Sequence, residues 1–577
     1  MKQLTLAAII AWLLLTPAFA QQPSKATTPP AESKPAAEIP KLVESIDVRI
    51  INVDVVVTDK KGNTITGLKR EDFDVYENDV LKPITNFFEV EGRRAINAVT
   101  EVPTHAQPAP AAAAPAATSS ADTVPDSLKR RIIFYIDNLS LAPLNRNKVF
   151  AQMKDFARNT MRPGDEAMIA TFNRSMKVRV PFTRDVTQIE QTLDSILGES
   201  AMGASNRSER TDVENRIRDT DSYDEAIATA RTYASSVEHD LRQSVSSINA
   251  LMSTLAGVEG KKILVLTSEG FQMSPGKEVF YFIEDLSRER TAWQNAGSTI
   301  IEGMTFDAAS LIQSVAKTAN ANNITLYTIH AAGLGAGNEN SAENAHPTSF
   351  TVSQAAISNS TDSMQLMAEM TGGLASLQTN NFALAFKRIQ RDLDSYYSLG
   401  YRGGTERVDR QRALQVRVKN RAYVVRARQT FVEKSTFAEM NDRVIANLLY
   451  KTKSNDLHIL VKVDTPQAAD DLFKVPVEIQ IPMESLALLP QGNDYVGGFD
   501  VYVAVANKDN DMSDVARKNH EIRVPAADYP KLKGKFYTYT LDLLMERGLN
   551  RISIGVVDNV VNTTGFAREQ IIAQDLR

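Results

Sequence analysis

The stretch RRIIFYIDNLSL, residues 130–141, decides how this chain folds. Its first eight residues, RRIIFYID, form a near-continuous apolar run, the pattern of a strand buried on both faces of a parallel sheet. Downstream, Val149, Met153, Phe156 and Ala157 recur at helical spacing up to the stop at Pro163–Asp165. EAMIATFN (166–173) and MKVRVPFT (176–183) read as two strands, and so short a connection requires an antiparallel pair. Helices are expected over 186–197, 223–256, 308–321, 362–370 and 382–394. Strands are expected in KKILVLTSEG (261–270), ITLYTIHAAG (324–333) and LASLQ (374–378). Strands and helices in alternation imply an α/β unit with a Rossmann-like, doubly wound, mostly parallel sheet. Such sheets bind ligands at the carboxyl ends of strands near the topological switch. The loops after Ile136, Thr267 and Ile329 are therefore the expected binding edge.

Upstream, the chain opens MKQLTLAAIIAWLLLTPAFA, with one charge at Lys2, an apolar run from Leu4 to Leu15 and small residues at Ala18 and Ala20. This is the pattern of a secretory signal peptide (1–20) cleaved after Ala20, and the run is too short to span a membrane comfortably. A soluble mature protein in the periplasm or outside the cell, with no membrane span, is the expectation. Residues 21–41 read as a flexible leader, and 42–92 as a small β unit, with Ile46, Val48, Ile50 and then Val53, Val55, Val57 alternating with polar partners. Some 50 residues make a thin core, so this unit is expected to lean on a neighbour. A Pro/Ala-rich linker follows over 102–127, where the prolines exclude a continuous helix. Beyond the sheet, YYSLGYRGG (396–404), RALQVRVKNRAY (412–423) and VVRARQTF (424–431) add trailing strands. A helix near 436–450 then leads into a block of alternating strands over 456–577, which reads as a β-sandwich.

Composition removes several functions. Among 577 residues there is no cysteine, so disulfides, thiolate metal sites and cysteine nucleophiles are excluded. Basic and acidic residues number 65 and 70, and with no basic excess nothing points to nucleic acid. The six histidines (105, 239, 330, 346, 458 and 520) show no ligand-like spacing, and neither a nucleophile elbow nor a P-loop occurs. His330, at a strand end on the binding edge, is read first as a structural histidine. The acid pairs Asp165/Glu166 and Asp392/Asp394 read as solvated turns or polar faces. The polar segment 198–222 reads as a mobile insertion or a recognition loop before the long helix.

The phrase VDVVVTDKKGNTITGLKREDFDVYEND, the strand and loop RRIIFYIDNLSL, KKILVLTSEGF and YYSLGYRGG together resemble a bacterial, acidobacterial-type family related to von Willebrand factor type A (VWFA) domains. The likeness covers most of 43–431, so the VWFA-type unit is set at 128–431 with its trailing strands. It implies a Rossmann-like sheet with an antiparallel edge strand. It also implies a metal-ion-dependent adhesion site, built from D-x-S-x-S after the first strand, a threonine in a later loop and an aspartate after the fourth strand. Mg²⁺ suits such oxygen ligands. In this chain the motif is degenerate. Asp137 fits, Leu139 and Leu141 stand at the serine positions, Ser140 is out of register, and Glu269 replaces the aspartate. Spacing does not choose between Thr211 and Thr220. Asp137, Ser140 and Glu269 are thus the candidate metal residues, and no catalytic residue is assigned. The leading expectation is an exported, non-enzymatic protein-interaction or adhesion module with a protein partner. The alternatives are a metal-regulated adhesion module and a hydrolase using the C-terminal edge of the sheet.

Overall fold

In the computed structural model, which describes residues 50–92, 94–100, 129–293, 298–334, 349–403, 408–451 and 454–574, the chain divides into two compact units. One spans Ile50–Thr452, and the other holds Lys453–Arg577. The expected signal peptide, leader and 102–127 linker, with His105 and His346, lie outside the described residues.

The first unit opens with strands β1 (Ile50–Thr58), β2 (Phe73–Glu77), β3 (Val80–Lys82), β4 (Ile84–Glu91) and β5 (Arg94–Thr100). Strand β6 (Arg130–Asp137) and helix α1 (Pro143–Thr160) then start the alternation. It continues through β7 (Glu166–Phe172), β8 (Met176–Thr183), α2 (Val186–Leu197), α3 (Gly203–Asp219), α4 (Tyr223–Thr254), β9 (Lys261–Ser268), α5 (Lys277–Glu289), α6 (Thr299–Gly303) and α7 (Ala309–Ala321). It closes with β10 (Ile324–His330), α8 (Phe350–Met370), β11 (Ala375–Ser376) and α9 (Phe382–Asp394).

Strands β6 to β11 form one sheet in the order β11-β10-β9-β6-β7-β8. All pairs are parallel except β7/β8, whose tight connection forces the antiparallel edge. Because alternate residues of a strand face opposite sides, β6 feeds two cores. Ile133 and Tyr135 pack with Leu241, Ile248 and Leu251 of α4 and with α7 and α8. Ile132, Phe134 and Ile136 pack with Val149, Met153 and Phe156 of α1 and with α2 and α9. Burial on both faces explains the unbroken apolar run. The chain grows from β6 towards β8, then returns to β9 on the other side, so the switch lies between β6 and β9.

Four strands follow the last helix of the alternation: β12 (Ser395–Arg402), β13 (Gln411–Val418), β14 (Val424–Arg426) and β15 (Thr430–Val432). They share two antiparallel sheets with the N-terminal strands, in the orders β14-β1-β12-β4-β5 and β15-β13-β2-β3. Residues 50–91, placed in a separate small unit by the sequence boundaries, are thus interleaved with 395–432. Phe73, Phe87 and Tyr397 bring ring centroids within 5.1–6.0 Å of one another in their joint core. This is how some 50 residues escape the thin-core problem: the partner strands arrive from the far end of the domain.

Two of the supposedly solvated acids are buried. Asp165 is 1% exposed and accepts from Arg130 Nε at 2.9 Å. Asp392 is 3% exposed and holds Arg426 in a bidentate pair (2.7 and 2.8 Å) while accepting from Tyr327 at 3.0 Å. The Arg426–Asp392–Tyr327 cluster ties α9 and β14 to β10. Buried charges need such partners, and the reading as surface turns fails for both acids.

Helix α10 (Thr436–Tyr450) ends the first unit. In the second, β16 (Leu460–Val463), β17 (Gln467–Ala469) and β18 (Leu472–Pro482) pair with one another. Further on come β19 (Leu489–Gln491), β20 (Asp494–Ala506), β21 (Ala516–Pro525), β22 (Phe536–Met545), β23 (Gly548–Asp558) and β24 (Thr564–Ala573). β22 joins β18, the remaining strands form an antiparallel sheet around β20, and both sheets contribute to one core.

Candidate binding site

Three neighbouring strands of the parallel sheet end together: β6 at Asp137, β9 at Ser268 and β10 at His330. The loop after β6 is fastened from both sides. Leu139 enters the core on the α4 face, and Leu141, fully buried, enters the core on the α1 face. Each stabilises by about 1.5–3 kcal/mol when buried. The leucines that remove two oxygen donors from the expected motif are therefore the pins that hold its backbone.

Pinned in this way, the loop turns Ser140 inward. Its Oγ donates to Asp137 Oδ2 at 2.7 Å, and Ser268 Oγ donates to the same oxygen at 2.8 Å. The two hydroxyls lie 2.8 Å apart, and Glu269 N donates to Ser140 Oγ at 3.0 Å. Asp137 is 3% exposed, and its Oδ1 has no partner among the described residues. Burial pushes this carboxyl above its usual range, against the hydrogen bonds from Ser140 and Ser268.

Glu269 is a junction. Its Oε1 accepts from Ala142 N (2.6 Å) and Asn145 Nδ2 (3.0 Å), and its Oε2 accepts from Arg207 Nη1 at 2.7 Å. Ala142 precedes α1 and has no side-chain oxygen, so the carboxylate sits at that helix N-terminus, where negative charge is favoured.

Arg207 comes from the segment expected to be a loop or mobile insertion. Residues 203–219 are instead helix α3, with only Val213 and Ile217, four apart, as buried apolar anchors among its long side chains. Its start is clamped to the site loop. Met202 N donates to Asn138 O, Gly203 N to Leu141 O and Asn206 Nδ2 to Leu139 O, at 2.9–3.0 Å. Gly203 is required by the close approach, since a Cβ there would lie 2.1 Å from Ser140 O. Neither candidate threonine joins the site: Thr211 Oγ1 donates to Arg207 O, and Thr220 Oγ1 to Glu225.

The result is a cleft of about 860 Å³, with Asp137, Ser140, Arg207, Glu269 and His330 among its lining residues. The faces of α3, α4 and α8 wall it. Leu144 and Leu334, 75% and 64% exposed, also line it. His330 is buried, its Nδ1 has no partner among the described residues, and burial holds its pKa below the ordinary value. Burial therefore favours its neutral form.

Asp137, Ser140 and Glu269 thus come together, joined by Ser268, Asn145 and Arg207, which the motif did not contain. A divalent ion does not fit the set as arranged. Both oxygens of Glu269 are engaged, one by a guanidinium, and both serine hydroxyls spend their protons on one Asp137 oxygen. Among the described residues, no three His, Asp or Glu side chains are grouped to hold a metal.

No protein-family model and no curated protein sequence matches the chain. Among solved structures it is similar to an aerotolerance-related membrane protein from Bacteroides fragilis, at 12% identity over 46% of this chain and 98% of that one, with a TM-score of 0.24. The conserved hypothetical protein BatB from Bacteroides thetaiotaomicron is similar at 11% identity over 46% and 97%, with a TM-score of 0.21. The vWF domain of the type V pili tip protein Mfa5 from Porphyromonas gingivalis is similar at 10% identity over 46% and 95%, with a TM-score of 0.24.

Proposed function

We propose that this chain is an exported, non-enzymatic protein-interaction module of the VWFA type, which receives a protein partner in the cleft at the sheet's switch point. The carrying observation is the pair of exposed leucines, Leu144 and Leu334, on a cleft whose polar floor is already hydrogen-bonded into place. Large apolar side chains kept in water beside a concave polar site are what a protein partner would cover. Export rests on the Lys2, Leu4–Leu15 and Ala18/Ala20 pattern, and the VWFA assignment on the sheet order with the quoted sequence phrases. No helix among the described residues is long and apolar enough to cross a membrane.

A hydrolase is the second reading, because Ser140, Ser268 and His330 stand at the same edge. A nucleophile needs a base to take its proton. Here both hydroxyls donate to Asp137 Oδ2, while His330 Nδ1 accepts from neither. The polar groups therefore brace one another, and the interaction reading is preferred.

The test is capture from envelope extract by the mature chain and by a Leu144→Asp/Leu334→Asp double variant. A partner retained by the wild type is expected to fall at least about tenfold with the variant, since hot-spot truncations cost about 2 kcal/mol or more each. Both substitutions are on exposed positions, so folding is preserved. Equal capture by both proteins, or turnover of an ester or peptide substrate that vanishes in Ser268→Ala, contradicts the reading.

A further inference from the structure

The cleft lining that holds Asp137 and Glu269 also holds a cation of the protein's own, Arg207. We infer that Arg207 is a built-in replacement for a divalent ion, and that removing its guanidinium turns the cleft floor into a divalent-cation site.

Three observations carry this. First, oxygens gather at these strand ends: Asp137 Oδ2 and the Ser140 and Ser268 hydroxyls are linked by contacts of 2.7–2.8 Å, the Glu269 main-chain N–H donates to Ser140 Oγ at 3.0 Å, and the Glu269 side chain lines the same cleft. Hard divalent cations take such oxygen donors. Second, Asp137 Oδ1 is buried, lacks a partner among the described residues and belongs to a residue lining the cleft. An unpaired acceptor in a buried site is costly, and a cation is one way to satisfy it. Third, the Arg207 Nη1–Glu269 Oε2 bond of 2.7 Å places a permanent positive charge on the carboxylate that the ion would need. The Glu269 side chain is 10% exposed, so solvent screens this pair only in part. Arg207 reaches the site because α3 is clamped to the loop through Met202, Gly203 and Asn206. A lone carboxylate–guanidinium contact would be commonplace. Here it engages an acid that lines the same cleft as an unsatisfied buried carboxylate oxygen.

In Arg207→Ala, Glu269 Oε2 is released and the local charge falls by one unit, while alanine favours the helix. Arg207→Lys keeps a positive charge, and Arg207→Ala/Glu269→Gln removes the arginine and the released carboxylate together.

Mn²⁺ binding to the mature full-length proteins, read by electron paramagnetic resonance of the free ion and by calorimetry, tests the inference. Wild type and Arg207→Lys are expected to bind no stoichiometric Mn²⁺ in the low millimolar range. Arg207→Ala is expected to bind one ion at least about tenfold more tightly than wild type, and the double variant to lose that gain. One-site binding by wild type as tight as by Arg207→Ala overturns the inference, as does Arg207→Ala binding no better than wild type. Circular dichroism melts identify a variant that has failed to fold, and Arg207→Gln then takes its place under the same two criteria. Because no partner is involved, this result is separable from the capture experiment: either can fail while the other succeeds.

Discussion

Raising the pH from 7 to roughly 9.5 is expected to stabilise the Ile50–Thr452 unit by about 3 kcal/mol, and the gain is expected to vanish in Lys262→Met. Lys262 lies at the start of β9, where every residue after Lys261 is buried, and is 4% exposed. Its Nζ donates to Val258 O at 2.7 Å and Ala256 O at 3.2 Å. Desolvation, with Lys434 and Arg131 nearby and only partly offset by Asp442 and Glu259, lowers its pKa from 10.5 to about 7. The unfolded chain therefore holds a proton that the folded chain has released across this window, and raising the pH favours folding. Above about pH 10 the sign reverses, because burial raises the pKa of Tyr135 and Tyr327, so these phenols stay protonated when unfolded ones ionise. Urea unfolding at several pH values checks this. Parallel stability curves for wild type and Lys262→Met would show that the ammonium is already relieved by water.

The second large effect is expected from the smallest substitution. Gly203→Ala places a Cβ 2.1 Å from Ser140 O, 2.6 Å from Leu141 C and 2.7 Å from Ala142 N, all main chain and unable to swing aside. Helix α3 must move, breaking the three hydrogen bonds that clamp it and withdrawing Arg207 from Glu269. Overpacking and lost hydrogen bonds together predict a loss of about 2–4 kcal/mol, with partner capture lost as well. Gly198→Ala is the control, since its Cβ would meet only Ser195 O at 3.4 Å, and a change within about 0.5 kcal/mol is expected. Chemical denaturation of both variants decides the matter. Equal stability would mean that α3 is not fastened to the site loop.

What could be read from the sequence was what neighbouring residues decide. The buried run 130–137 announces a central strand because both faces are covered, and the two-residue gap after 173 forces an antiparallel edge. Helix 382–394 is legible because Phe382, Phe386, Ile389 and Leu393 keep one face. Helix α3 was not, since two large apolar residues in seventeen, Val213 and Ile217, carry little periodicity and its stability comes from docking. Helix α5, with EVFYFIE at its centre, offers a run that fits strand as well as helix, and the first half of α8 is rich in Ser, Thr and β-branched residues. The pairing of β1 with β12, some 350 residues apart, has no local signal at all.

The same division holds at the site. Asp137, Ser140 and Glu269 were visible because they follow recognisable strands, and Ser268 stands beside Glu269 in the same phrase. Arg207 was hidden because its role exists only through a contact with a residue 62 positions away. The buried states of Asp165 and Asp392 were hidden for the same reason, their arginines lying 35 and 34 residues away in sequence.

The central claim, that the cleft at the ends of β6, β9 and β10 is the partner-binding face, is tested most directly by site-specific photocrosslinking. A benzophenone amino acid at Leu144 or Leu334 would be compared with one at Val178, exposed on the outermost strand β8. With envelope extract, the account predicts a discrete crosslinked partner from Leu144 and Leu334 and none from Val178. A partner crosslinked equally at Val178, or none at either leucine, would contradict it.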